Sequence, residues 1–231
     1  MTGGFSNGKD LSMSLKRKLL GLAVLASLAT VAFVVVTASA NNREGNWITP
    51  GVGAADITGL QSLNHIMEFS LEGIGANGIT CGTSEWDTTT SAEKSKFLKI
   101  IPKLANCKTT SAGAVTINVN GCSLELYVAI GTISTTEQTA DITCPAGVSM
   151  EIIDASCTVT IGTQTNLTGI TYKDITPFET GVTGTFNVKL AVKADGATCP
   201  KGITGGKLSG GLIFEAFDTK VLKKLVPLEV K

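Results

Sequence analysis

Six cysteines, Cys81, Cys107, Cys122, Cys144, Cys157 and Cys199, constrain this chain most, because all of them lie downstream of an export-like N-terminus. Lys16, Arg17 and Lys18 form a short basic cluster. Residues 19–36 are apolar apart from small residues, and Ala38-Ser39-Ala40 follows. This order of basic, apolar and small-residue segments is the pattern of a secretory signal peptide, a signal helix removed after the last alanine. The apolar run also approaches the ~20 residues a bilayer span needs, so an uncleaved anchor is the rival reading. The Ala-x-Ala ending favours cleavage. Met13 offers an alternative start just before the basic cluster, and no cysteine follows Ala40 to carry a lipid.

An even cysteine count beyond such a signal reads as a disulfide framework, since oxidising compartments let these bonds persist. Sequence does not choose among the connectivities. The expectation is sequential pairing, which keeps each loop local: Cys81 with Cys107, Cys122 with Cys144, Cys157 with Cys199. No Cys-x-x-Cys pair exists to clasp zinc, so neither a metal nor another cofactor is expected.

Removing residues 1–40 takes away Lys9, Lys16, Arg17 and Lys18 against Asp10. Of 19 basic and 19 acidic residues, 15 and 18 then remain, a net charge of −3. A mildly acidic surface gives phosphate backbones nothing to bind, which argues against nucleic acid as a partner. The remaining 191 of 231 residues suffice for one substantial core.

Residues 41–53 are polar and broken by Pro50 and Gly51, which suggests a flexible leader. After it, apolar stretches with period two recur between Gly, Asn, Thr and Ser clusters. The clearest are Phe186, Val188, Leu190 and Val192; Val115, Ile117 and Val119; and Leu124, Leu126 and Val128. Residues 150–153, 158–161, 169–173 and 212–217 are further candidates. In a strand such alternation sends one set of side chains to a common face. The expectation is an all-β fold, a β-sandwich or Greek-key-like domain over 54–218 stapled by disulfides. Thr90 and Glu93 could open a helix, but a loop followed by a strand at 97–101, stopped by Pro102, is the preferred reading. The tail, 219–231, reads either as a last strand or as a loose surface segment.

The usual chemical signatures fail on inspection. Gly73-Ile74-Gly75-Ala76-Asn77-Gly78 matches a dinucleotide fingerprint, yet the strand-like Ile79-Thr80-Cys81 follows where a helix is required. His65 is the only histidine, and no G-x-S-x-G elbow accompanies it, so no catalytic residue is assigned. Glu68, Glu72, Glu125, Glu151 and Asp154 are available for carboxylate chemistry, but nothing marks a pair. Trp86 lies in the polar stretch Ser84-Glu85-Trp86-Asp87-Thr88, read as a loop whose tryptophan is either exposed or tucked onto the sheet. Asn166-Leu167-Thr168 is a glycosylation sequon.

Several segments together resemble uncharacterised secreted proteins of soil actinobacteria. They are Thr80-Cys81, Pro102 before Cys107, Gly121-Cys122, Cys144 before a short strand, Cys157-Thr158-Val159-Thr160-Ile161-Gly162 with Gln164, Tyr172 and Cys199. The resemblance spans about 54–217 and implies export and a β domain, without an activity. The functional expectation is a secreted or cell-surface, non-catalytic binding or structural module. Its partners would be envelope components or another extracellular protein. The alternatives are a carboxylate-using extracellular hydrolase and, with an uncleaved signal, an anchored envelope protein.

Overall fold

Alternation of side chains gives this chain a wall with two unlike faces. Along Phe186-Asn187-Val188-Lys189-Leu190, for example, buried apolar residues alternate with exposed polar ones. The computed structural model describes residues 43–62, 66–71, 78–110, 113–129, 138–154, 157–193, 204–221 and 224–231. The expected signal segment, 1–40, lies outside them.

β1 (Trp47–Ile48) belongs to a cap, and the wall begins with β2 (Ala55–Gln61) and β3 (Glu68–Leu71). Next come β4 (Ile79–Thr90), the short cap strand β5 (Lys94–Ser95) and β6 (Phe97–Thr109). β7 (Ala114–Asn118) and β8 (Ser123–Tyr127) follow, then β9 (Gln138–Thr143) and β10 (Met150–Asp154). β11 (Cys157–Ile161) leads into β12 (Gln164–Thr176), and β13 (Glu179–Lys189) into β14 (Ala191–Val192). β15 (Gly205–Asp218), β16 (Leu225–Val226) and β17 (Glu229–Val230) complete the chain.

Many of these strands share one position in the wall. β7 and β8 are both antiparallel to β6, so they run the same way along it, one after the other. The same reasoning joins β2 to β3, β9 to β10, β11 to β12 and β13 to β14. Each position pairs with its neighbour in sequence. β15 then pairs with both β2 and β3, which closes eight positions into an antiparallel barrel. The fold is therefore all-β, but a closed up-and-down barrel replaces the expected sandwich or Greek key. Among the described residues, no strand returns across another to make a Greek key, and the wall does not divide into two facing sheets. Eight strands enclose an interior just wide enough to be filled by side chains or to hold one small ligand.

Bulges keep apolar residues turned inward along these long walls. Among the described residues, the three non-glycine residues with positive φ are all asparagines: Asn106 (55°), Asn120 (53°) and Asn166 (58°). Asparagine tolerates this left-handed backbone better than most residues. On β6 the buried set is Leu98, Ile100 and Pro102 before Asn106 but Cys107 after it. Opposite, on β4, it changes from Trp86 and Ser84 to Cys81 and Ile79. Gly82 lies where a Cβ would come within 3.3 Å of Asn106, so the two strands change facing together. Pro102 does not end β6. β8 pairs with β6 no farther than Ile100 and β7 resumes at Cys107, so the missing N–H falls in a gap of the ladder.

The expected leader contributes a short strand. β1 pairs with β17 on one side and β5 on the other, forming a three-stranded cap from the leader, the tail and the segment before β6. The tail thus packs as strands, with β16 joined to β15. Trp47, 1% exposed, carries the leader into the core.

Cys81–Cys107 links β4 to β6 at directly opposed positions, and Cys122–Cys144 joins the bends between β7 and β8 and between β9 and β10. Cys157 is disulfide-bonded as well, while Cys199, its expected partner, lies outside the described residues. Such bonds are compatible with an oxidising compartment.

Outward positions carry exposed Glu85, Lys99, Lys103, Lys173, Lys189 and Lys207. A membrane-spanning barrel needs an apolar outer band around a polar lumen. This wall has the opposite polarity.

Candidate functional site

The candidate site is the barrel lumen at the level of Trp86. The stretch Ser84–Thr88 is not a loop: it lies within β4, where Glu85 and Asp87 face outward and Ser84 and Trp86 are buried. Trp86 is 3% exposed, which matches the buried one of the two placements considered from sequence and differs from it in that the residue lies within a strand. Its strand neighbours are Gly59 on β2, against which the Phe214 ring lies, and Pro102 on β6.

Two apolar cavities flank this indole. The larger, about 40 Å³, is lined by Met67, Trp86, Leu124, Leu126, Ile170, Val182, Phe186, Leu208 and Leu212 with Thr183, Ser209 and glycines 184, 210 and 211. The smaller, about 20 Å³, lies among Phe69, Trp86, Pro102, Leu104, Ser123, Leu124, Ile142, Met150, Ile161 and Leu208. Trp86, Leu124 and Leu208 border both and form the partition between them. No aspartate, glutamate, lysine, arginine or histidine lines either one.

The indole nitrogen of Trp86 is buried and has no hydrogen-bond partner among the described residues. A buried donor left unpaired is uncommon in native proteins and carries a desolvation penalty of about 1–3 kcal/mol. Trp47 offers the contrast within the same barrel. Its Nε1–H donates to the Leu126 carbonyl at 3.0 Å, while its ring meets Tyr172 and Phe214 at centroid distances of 5.0 and 6.2 Å. Tyr172, fully buried, donates its hydroxyl to the Tyr127 carbonyl at 3.0 Å, and burial pushes its phenol well above the ordinary range.

A polar strap on the outer wall holds the leader that brings Trp47 in. Arg43 donates to both carboxylate oxygens of Asp141 on β9, at 2.8 and 2.6 Å, and its guanidinium lies 3.8 Å from the centroid of the Tyr127 ring. Burial works to raise the Asp141 carboxyl, but Arg43 and the Asn166 backbone N–H, at 2.8 Å, outweigh it and hold the group below the usual carboxylate range. Burial, then the hydrogen bond to Glu125 at 2.9 Å, pushes the Tyr127 phenol up to about 12. Backbone bonds from Gly45 to Val128 and between Asn46 and Lys231 continue the strap.

The carboxylates considered from sequence do not converge on the lumen. Glu125 is engaged by Tyr127, Glu151 by Lys193, and Glu68 is exposed on β3. Asp154 ends β10 opposite Cys157, whereas Glu72 and His65 lie outside the described residues. Among the described residues, no group of three His, Cys, Asp or Glu side chains is placed to hold a metal ion. Of the fingerprint-like glycines only Gly78 is described; it directly precedes strand β4 rather than a helix. Asn166 is exposed on β12. Sequence reasoning missed Trp86 as a lumen residue, although the flanking Glu85 and Asp87 carried the period-two signal. Protein-family models, curated proteins and solved structures yield no match to this chain.

Proposed function

We propose that this chain is an exported, non-catalytic barrel that takes a small, mainly apolar molecule into its lumen. The observation that carries the reading is the polarity of the closed wall, charged outside and apolar within, around an interior left partly unfilled beside Trp86. Packed protein interiors keep few voids larger than a water molecule. An apolar void stays dry, and apolar groups are its natural occupants.

The cavities are small beside the ~150 Å³ that an engineered site needs to admit benzene. Uptake therefore requires the partition to give way. Met67 is unbranched and adaptable, and rotation of Leu124 and Leu208 would join the two spaces. Export rests on the signal-like N-terminus and on the disulfides.

Two measurements test this function. The mass of the protein recovered from culture medium should correspond to a chain beginning at Asn41 and should rise by six hydrogens on reduction. A full-length, membrane-bound species would replace a soluble carrier with an anchored one. Titration with short alkanes and ketones should shift the methyl resonances of Leu124 and Leu208 saturably. Unmoved methyls across that series would remove the carrier reading.

A further inference from the structure

We infer that the lumen selects an uncharged ligand with one hydrogen-bond acceptor, such as a ketone, ester or ether, whose oxygen accepts the Trp86 Nε1–H. This inference rests on the lumen-binding reading and adds the chemical class of the ligand. Three observations define the class. Trp86 is 97% buried (3% exposed) and its indole N–H has no partner among the described residues. It stands between both cavities, so an acceptor at its level can carry apolar groups into either side. No cation lines either cavity, so an ionised carboxylate would be buried without compensation, a far larger penalty than burying a neutral carbonyl. Trp47 cannot serve the ligand in this way, because its own N–H is committed to Leu126.

The test uses three molecules of nearly equal size and shape: 2-hexanone, 2-methylhexane and pentanoate. Dissociation constants come from the Leu124 and Leu208 methyl shifts in the intact mature protein and in Trp86→Phe. Comparing the ketone-to-alkane ratio between the two proteins cancels the different hydration of the ligands. The expected result is a ratio that moves about tenfold toward the alkane in Trp86→Phe, and no pentanoate binding at neutral pH. A measurement on the unsubstituted protein does not depend on the variant folding. The Trp86 indole N–H resonance should move downfield with 2-hexanone but not with 2-methylhexane, while the Trp47 resonance stays in place. An unchanged ratio, equal movement with the alkane, or pentanoate binding as tight as the ketone would overturn the inference while leaving an apolar carrier. If neither neutral molecule binds, the carrier reading itself fails, and this inference with it.

Discussion

Replacing Trp47 by alanine tests whether the leader is part of the barrel or only lies on it. The indole is 1% exposed, packs against Tyr172 and Phe214, and donates to Leu126. Truncating a buried aromatic of this size to alanine costs about 3–5 kcal/mol, with the outcome set by how far the surroundings collapse. Collapse is limited here, because β1 is held on both sides by β17 and β5 and on the outer wall by Arg43. The estimate therefore belongs toward the upper part of that range. For a domain of this size each kcal/mol moves Tm by roughly 2–4 °C, so the midpoint should fall by roughly 6–20 °C. Thermal and urea unfolding of the mature protein would measure it. Trp47→Phe, which keeps most of the ring contacts but loses the hydrogen bond, should fall between the two. A drop of less than about 2 °C with Trp47→Ala would refute the argument. The leader would then unfold separately from the barrel, and its strands would not be a structural cap.

Three further expectations follow from the same geometry. Asp141→Asn should lower stability at pH 7 by about 1–3 kcal/mol through loss of the charge-assisted pair with Arg43. Because the folded carboxyl is held below its unfolded value of about 4, that contribution is present above pH 4 and fades as pH falls below it. Unfolding curves of the two proteins should thus converge at low pH, and a constant difference would contradict the pairing. Removing Cys81–Cys107 by paired alanine substitution should cost about 3.5 kcal/mol, from the chain entropy of a loop closed over 26 residues, readable as a shift in the urea midpoint. Gly169→Ala should destabilise by at least about 2 kcal/mol, since φ is +95° and the new Cβ would meet the Thr185 carbonyl oxygen. A near-neutral result by the same assay would mean that β12 passes β13 less closely.

Strands were legible where one face is apolar for several consecutive pairs of residues. Phe186 to Val192 and Leu124 to Val128 announce themselves, because burial on one side leaves a period-two record. The record is broken at Asn106, Asn120 and Asn166, where the chain changes facing; with the polar run from Thr83 to Ser95 this leaves only the ends of β4 and β6, near Ile79 and at 97–101, readable as strands. Closure was not legible at all. It depends on β15 meeting β2, partners separated by most of the domain, and no local pattern distinguishes a sheet that closes from one that folds against another. The cap hides for the same reason: Trp47 sits in polar surroundings, and its burial requires a tail near residue 230 to pair with it.

The lumen was hidden by a different physics, and Trp86 shows how. In isolation, Ser-Glu-Trp-Asp-Thr has the polarity of a loop, because a strand facing water on one side needs charges at alternate positions. Once the outer face of β4 is known, those charges stop counting against burial and become its evidence, since Glu85 and Asp87 can face water only if Trp86 does not. The free indole N–H then carries more information than the tryptophan itself. Any core could bury the ring, as this one buries Trp47, but Trp47 finds an acceptor in the Leu126 carbonyl and Trp86 does not. A wall already satisfied by its ladder has few carbonyls to spare for a side chain in the middle of the lumen. On the proposed carrier function, the acceptor that Trp86 lacks comes with the guest, and the class inferred for that guest rests on one unpaired donor and on the lack of charged residues lining the two cavities.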